Sequence, residues 1–123
     1  MTTPTILVLG STGKTGRRVA EGLAKKHVPT RLGSRSATPP FDWENPGTWD
    51  AALKSVKAAY VSYYPDLTVP GATDAIRAFT ELAVKKGVRR LVLLSGRGEL
   101  AAERCEDIVR NSGVEWTLLR ASW

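Results

Sequence analysis

Thr5-Ile6-Leu7-Val8-Leu9-Gly10-Ser11-Thr12-Gly13-Lys14-Thr15-Gly16 is an apolar run that breaks into a turn with glycine at every third position. A buried strand followed at once by G-x-x-G-x-x-G needs a backbone that turns tightly, admits a phosphate closely and then starts a helix. Unpaired N–H groups at a helix start point at an anion. In this reading Gly10 makes the turn, Gly13 leaves room for a pyrophosphate and Gly16 lets the helix press on its strand. Ser11, Thr12, Lys14 and Thr15 complete a dinucleotide cradle. Val19, Ala20, Leu23 and Ala24 then share one face of the predicted helix. A nucleoside-triphosphate P-loop is excluded, because its first glycine would have to occupy position 8, where Val8 stands.

Charge supports the same place. Of the net +6, all lies in residues 1–36, where seven Lys or Arg face Glu21 alone; the remainder is balanced. Lys14, Arg17 and Arg35 suit a small polyanion, whereas Lys25 and Lys26 read as a solvated helix face. Nucleic acid is not the expected partner, since Tyr60, Tyr63 and Tyr64 are not interleaved with basic residues. One cysteine, Cys105, forms no internal disulfide and reads as a small core residue, and the lone His27 reads as a helix-end residue. No metal site is expected. The chain of 123 residues lacks a membrane-length apolar run and a signal-peptide start, so residues 1–123 are expected to form one cytoplasmic domain.

Downstream, Val28 to Ser34 predicts a second strand. Its end decides which nucleotide fits, because an acidic residue there binds a free ribose 2′-hydroxyl and an arginine accommodates a 2′-phosphate. Ser34-Arg35-Ser36 offers no acid before Asp42, which favours NADP(H) over NAD(H). Asp42 and Trp43 lie in the following loop, where they either meet the adenine or, for Trp43 and Phe41, pack in the core. Asn45-Pro46 predicts a helix start, with Trp49, Ala52 and Leu53 on its apolar face. A third strand is expected over Ala58 to Tyr63, placing Ser62, Tyr63, Tyr64 and Pro65 at the ligand edge. A long helix runs from Pro70 to Lys86, a fourth strand from Arg90 to Ser95, a helix from Glu99 to Asn111, and a last strand from Glu115 to Arg120. The junctions Lys26-His27-Val28, Lys86-Gly87-Val88 and Ser112-Gly113-Val114 repeat one plan. Units wound in one sense follow, hence a three-layer, doubly wound parallel α/β sheet of order 3-2-1-4-5.

The glycine turn, Arg35, Phe41-Asp42-Trp43, the Tyr64-Pro65-Asp66-Leu67-Thr68-Val69-Pro70-Gly71 segment, Arg90 to Gly96 and the closing stretch from Ser112 to Trp123 together resemble the NmrA-like atypical short-chain dehydrogenase/reductases, in their ergot-alkaloid reductase-like group. The resemblance implies a Rossmann fold that stops before the substrate-binding part. It further implies NADP held by Gly10 to Gly16 and Arg35, with Ser95 and Gly96 near the nicotinamide. Ser95 and Tyr63 become the candidate catalytic residues, each able to hydrogen-bond a small organic substrate. The Tyr-x-x-x-Lys pair of many such reductases is absent, and Ala102 stands where relatives often keep lysine. The expected function is the NADP(H)-binding domain of a reductase; the alternative is a non-catalytic NADP-binding redox sensor. The last strand would leave an apolar edge open, which predicts a homo-oligomer.

Overall fold

The computed structural model describes residues 5–10, 14–63, 67, 69–96 and 100–121. Five parallel strands form one sheet: β1 (Thr5–Leu9), β2 (Thr30–Gly33), β3 (Val56–Val61), β4 (Arg90–Gly96) and β5 (Glu115–Ala121). Between them lie helices α1 (Lys14–Lys25), α2 (Trp49–Leu53), α3 (Ala72–Lys85) and α4 (Leu100–Arg110), with a 3₁₀ turn at Pro46–Thr48 before α2. That is the doubly wound α/β class read from the sequence.

The order along the sheet is β2-β1-β3-β4-β5, which corrects the expected 3-2-1-4-5. β3 lies beside β1, with Ile6 opposite Ala58 and Val8 opposite Tyr60. Burial explains the difference. A strand flanked on both sides within a parallel sheet must be apolar on both faces, and β3 buries Ala59, Tyr60 and Val61 in succession. β2 is only four residues long, carries Thr30 and Arg31, and leaves Leu32 48% exposed, as an edge strand does.

Connections leaving β1 and β2 therefore run in opposite directions. Right-handed crossovers put α1 on one face, against β1 and β2, and α2, α3 and α4 on the other. Leu7, Leu9, Ala59, Val61, Leu91 and Leu93 look toward the three-helix side, where they meet Leu53, Ile76, Phe79, Ala102, Cys105 and Val109 in the main core. Cys105 is buried there, as expected of a small core residue, and burial pushes its thiol pKa up.

Helix α1 is less deeply seated than the sequence suggests. Val19, Ala20 and Leu23 are half-buried, Ala24 is exposed, and Gly16 is its one buried residue. Strand β2 is shorter than Val28 to Ser34, since the Val28 N–H caps α1 by donating to the Leu23 carbonyl at 3.0 Å. The Asn45 side chain caps the 3₁₀ turn, accepting from the Gly47 N–H at 3.2 Å. Arg31 reaches from β2 to the far end of α2, donating to the Ala52 and Lys54 carbonyls at 2.7 Å each. All three repeated junctions adopt positive φ: His27 at 56°, Gly87 at 91° and Gly113 at 90°.

Candidate nucleotide-binding site

In an open doubly wound sheet the ligand crevice lies outside the carboxyl ends of the strands, where the connections diverge. Here that point falls between β1 and β3. Gly10 ends β1 with φ 64°, and its N–H donates to the Gly33 carbonyl at 3.1 Å, joining the glycine turn to the end of β2. A Cβ added at Gly10 would stand 3.2 Å from Ser62 Oγ, so the turn also abuts the chain leaving β3.

Gly16 shows the closest approach. A Cβ there would lie 2.6 Å from the Gly10 carbonyl carbon, closer than non-bonded atoms approach, and a tight 3.1 Å from the Leu9 oxygen. The first turn of α1 is thus pressed onto the end of β1, and only a residue without a side chain permits it. This sets the start of a 12-residue helix, the end at which backbone amides are free to meet an anion, against the carboxyl end of β1. Lys14 and Thr15 are exposed at that helix start. Ser11, Thr12, Gly13, Tyr64 and Pro65, named from the sequence, lie outside the described residues.

Ser34, Arg35 and Ser36 follow β2 immediately, on the same edge. Ser34 Oγ and Ser36 Oγ are 3.3 Å apart, and the Arg35 side chain is exposed. The Ser34 carbonyl accepts from the Phe41 N–H at 2.8 Å, folding the loop back on itself. Within that loop one Asp42 carboxylate oxygen accepts from the Glu44 N–H at 2.9 Å, and the Asp42 carbonyl accepts from the Trp49 indole at 2.9 Å.

Trp43, for which packing and adenine contact were both expected, is partly buried in an aromatic cluster. Its ring sits 5.0 Å from Phe41, 5.2 Å from Phe79 and 5.0 Å from Tyr63, and its indole N–H donates to the Ser62 carbonyl at 3.0 Å. Tyr63 is half-buried against this aromatic cluster.

Ser95 and Gly96 end β4, both buried. Ser95 shares the three-helix face with Leu91 and Leu93, and its hydroxyl makes no hydrogen bond of good geometry among the described residues. Beside it is a group that the sequence reading passed over. Glu106, on α4, is 2% exposed and accepts from Arg120 Nε at 3.1 Å and Arg120 Nη2 at 2.9 Å. Arg110 adds a longer contact of 3.5 Å. Its burial is a local cover supplied by these side chains. The Arg120 hydrogen bond holds the Glu106 carboxyl below the usual carboxylate range against the opposing effect of burial, with smaller help from Ser95 and Arg110. A carboxylate on the row Ala102, Cys105, Val109, four residues after Ala102, was the signal in the sequence. Among the described residues no helix is long and apolar enough to cross a membrane, and no three potential ligands converge on a metal position.

No protein-family model matches the chain. Agroclavine dehydrogenase of Claviceps fusiformis is 31% identical over 97% of this chain and 46% of its own length. Festuclavine synthase I of Penicillium roqueforti is 30% identical over 97% of this chain and 47% of its own length. The chain thus spans about half the length of the curated relatives it matches. Among solved structures, an NADPH-dependent quinone oxidoreductase of Escherichia coli, complexed with NADPH, superposes with a TM-score of 0.80 at 22% identity, over 96% of this chain and 49% of that one. A short-chain dehydrogenase/reductase superfamily protein of Agrobacterium tumefaciens, with bound NAD, gives a TM-score of 0.74 at 20% identity, over 94% of this chain and 48% of that one. Over the length it spans, the chain resembles the ergot-alkaloid reductase-like group of the NmrA-like atypical short-chain dehydrogenase/reductases.

Proposed function

We propose that this chain binds a nicotinamide dinucleotide along the carboxyl edge of its sheet, and that it is the cofactor-binding part of a reductase for a small organic substrate. The observation that carries the reading is the Gly16–Gly10 approach, which a single methyl group would abolish and which sets a helix start against the strand end at the switch point. Relatives named as dehydrogenases and structures solved with NADPH or NAD support it.

The amides from Gly10 to Gly16, with the hydroxyls of Ser11, Thr12 and Thr15 and the Lys14 ammonium, hold the diphosphate. Arg35, flanked by Ser34 and Ser36, takes a 2′-phosphate, so NADP(H) is preferred to NAD(H). Asp42 and Trp43 line the approach to the adenine, Trp43 by anchoring the loop to Ser62. Tyr64, Pro65, Ser95 and Gly96 border the nicotinamide side, and Ser95 or Tyr63 hydrogen-bonds a substrate heteroatom. When bound, the nicotinamide supplies the hydride, and the chain's task is to orient it and keep water away. Among the described residues β5 is an edge strand exposing Trp116 and Leu119 at 44% each, which supports pairing with a second copy of the chain.

Parallel titrations with NADPH and NADH, followed by tryptophan fluorescence, test the assignment. NADPH should bind at least about tenfold more tightly, the equivalent of one charge-assisted phosphate contact. Arg35→Asp should erase that preference and leave NADH binding within a few fold. A chain that binds neither nucleotide overturns the proposal, and an unchanged preference in the variant removes Arg35 from the site.

A further inference from the structure

We propose that Glu106 is a positioning residue of the nucleotide site: the buried carboxylate fixes where the carboxyl ends of β4 and β5 stand. The inference rests on the function proposed above and adds to it a residue that does not itself touch the nucleotide.

A carboxylate is costly on an apolar helix row. Ala102, Cys105 and Val109 on that row are each no more than 1% exposed, and Glu106 at 2% is the one charged side chain buried among the described residues. Such a group is tolerated only when its oxygens are fully engaged. Arg120 engages both of them, through Nε and Nη2, in the two-pronged geometry that guanidinium and carboxylate share.

Arg120 occupies the position in β5 paired with Ser95 of β4, and the next pair, Gly96 with Ala121, is the last of the ladder. The ion pair therefore joins α4 to the penultimate rung of the β4–β5 ladder, at the edge where Gly10 and Ser62 also stand. Arg110 braces the same carboxylate and lies over the Trp116 ring, 5.7 Å from its centroid, so the tie also reaches the start of β5. Backbone pairing alone would let the ends of two strands fray. A fixed α4–β5 link holds the Ser95-Gly96 backbone in one place, which a ligand crossing that edge requires.

Glu106→Gln keeps the shape and removes the charge, while Arg120→Lys keeps the charge and removes the fork. Val88→Ala is the control: Val88 is 3% exposed at the opposite, amino edge of the sheet, so its loss destabilises without touching the cluster. Two readouts are taken on folded protein. Hydrogen exchange of ligand-free protein over residues 91–96 and 116–121 should be faster in both cluster variants than in Val88→Ala at matched stability. NADPH dissociation constants should rise at least fivefold in both, and stay within twofold of the parent in Val88→Ala. Should Glu106→Gln fail to fold, Arg120→Lys and Glu106→Asp carry the same two comparisons. Exchange at Ser95 and Gly96 no faster than in the control overturns the proposal, as does parental NADPH affinity in Arg120→Lys. A parent chain that binds no nucleotide sinks the proposed function instead, and the exchange data then decide the strand-end claim separately.

Discussion

Gly16 and Gly22 lie in the same helix and make opposite demands. A Cβ at Gly16 collides with the end of β1, whereas one at Gly22 would meet nothing within 4 Å. Gly22→Ala should therefore stabilise the chain by up to about 1 kcal/mol, the helical preference of alanine over glycine. Gly16→Ala should destabilise it by about 1–3 kcal/mol despite the same preference, since overpacking outweighs it, and should abolish nucleotide binding. Urea midpoints at unchanged slope and a NADPH titration read both; a Gly16→Ala protein with parental stability and affinity would contradict the close approach. His27 poses a different problem. It sits at φ 56°, where its two counterparts are Gly87 and Gly113, and an L-residue pays about 1–2 kcal/mol in that region. His27→Gly should raise the unfolding free energy by roughly 1 kcal/mol, read as a higher urea midpoint at constant slope. The glycine spacing was legible in the sequence because only glycine meets its steric demand. The positive φ of His27 was not, because the residue does not announce it.

At the scale of elements, helices and strands followed from apolar periodicity, with boundaries shifted by one to two residues at most ends. What periodicity misses is neighbourhood. Leu23 to Val28 closes α1 with the hydrogen bonds of a left-handed cap, which takes Val28 out of β2. The placement of β3 beside β1 was readable from the greater apolarity of Val56–Val61 over Thr30–Gly33, a comparison of strands with each other. Glu106 stood out in the sequence only as a carboxylate on an apolar row, and its meaning depends on Arg120, fourteen residues on. The pair makes an acid prediction. Arg120, with Ser95 and Arg110 assisting, depresses the Glu106 pKa in the folded chain relative to the unfolded one. Its contribution is therefore present at neutral pH and is lost as pH falls through the folded value. Urea midpoints of parent and Glu106→Gln should differ most near pH 7 and converge below the usual carboxylate range; a constant difference down to pH 3 would remove the ionised pair from the account.

At the scale of the sheet, the decisive fact is unequal cover: among the described residues three helices pack on one face and one on the other, and β5 is an edge strand on which Leu119 and Trp116 are 44% exposed. An exposed, apolar edge strand is a template for pairing with another chain, and a lysine there blunts it. Light scattering should show the molar mass of the parent rising with concentration and that of Leu119→Lys holding at one chain; a parent that stays monomeric throughout would refute edge pairing.

The position of β1 between β2 and β3 has an engineering consequence. Cut at the exposed Lys54-Ser55 turn, the polypeptide separates into a piece bearing β2 and β1 and a piece bearing β3, β4 and β5. Only one ladder, Ile6 to Val8 against Ala58 to Tyr60, must be rebuilt for the sheet to close. Supplied as two separately translated halves, each fused to one of two proteins brought together by a test signal, the sheet becomes a complementation reporter whose assembly rebuilds that ladder together with the packing of Phe41, Trp43 and Trp49 on Phe79.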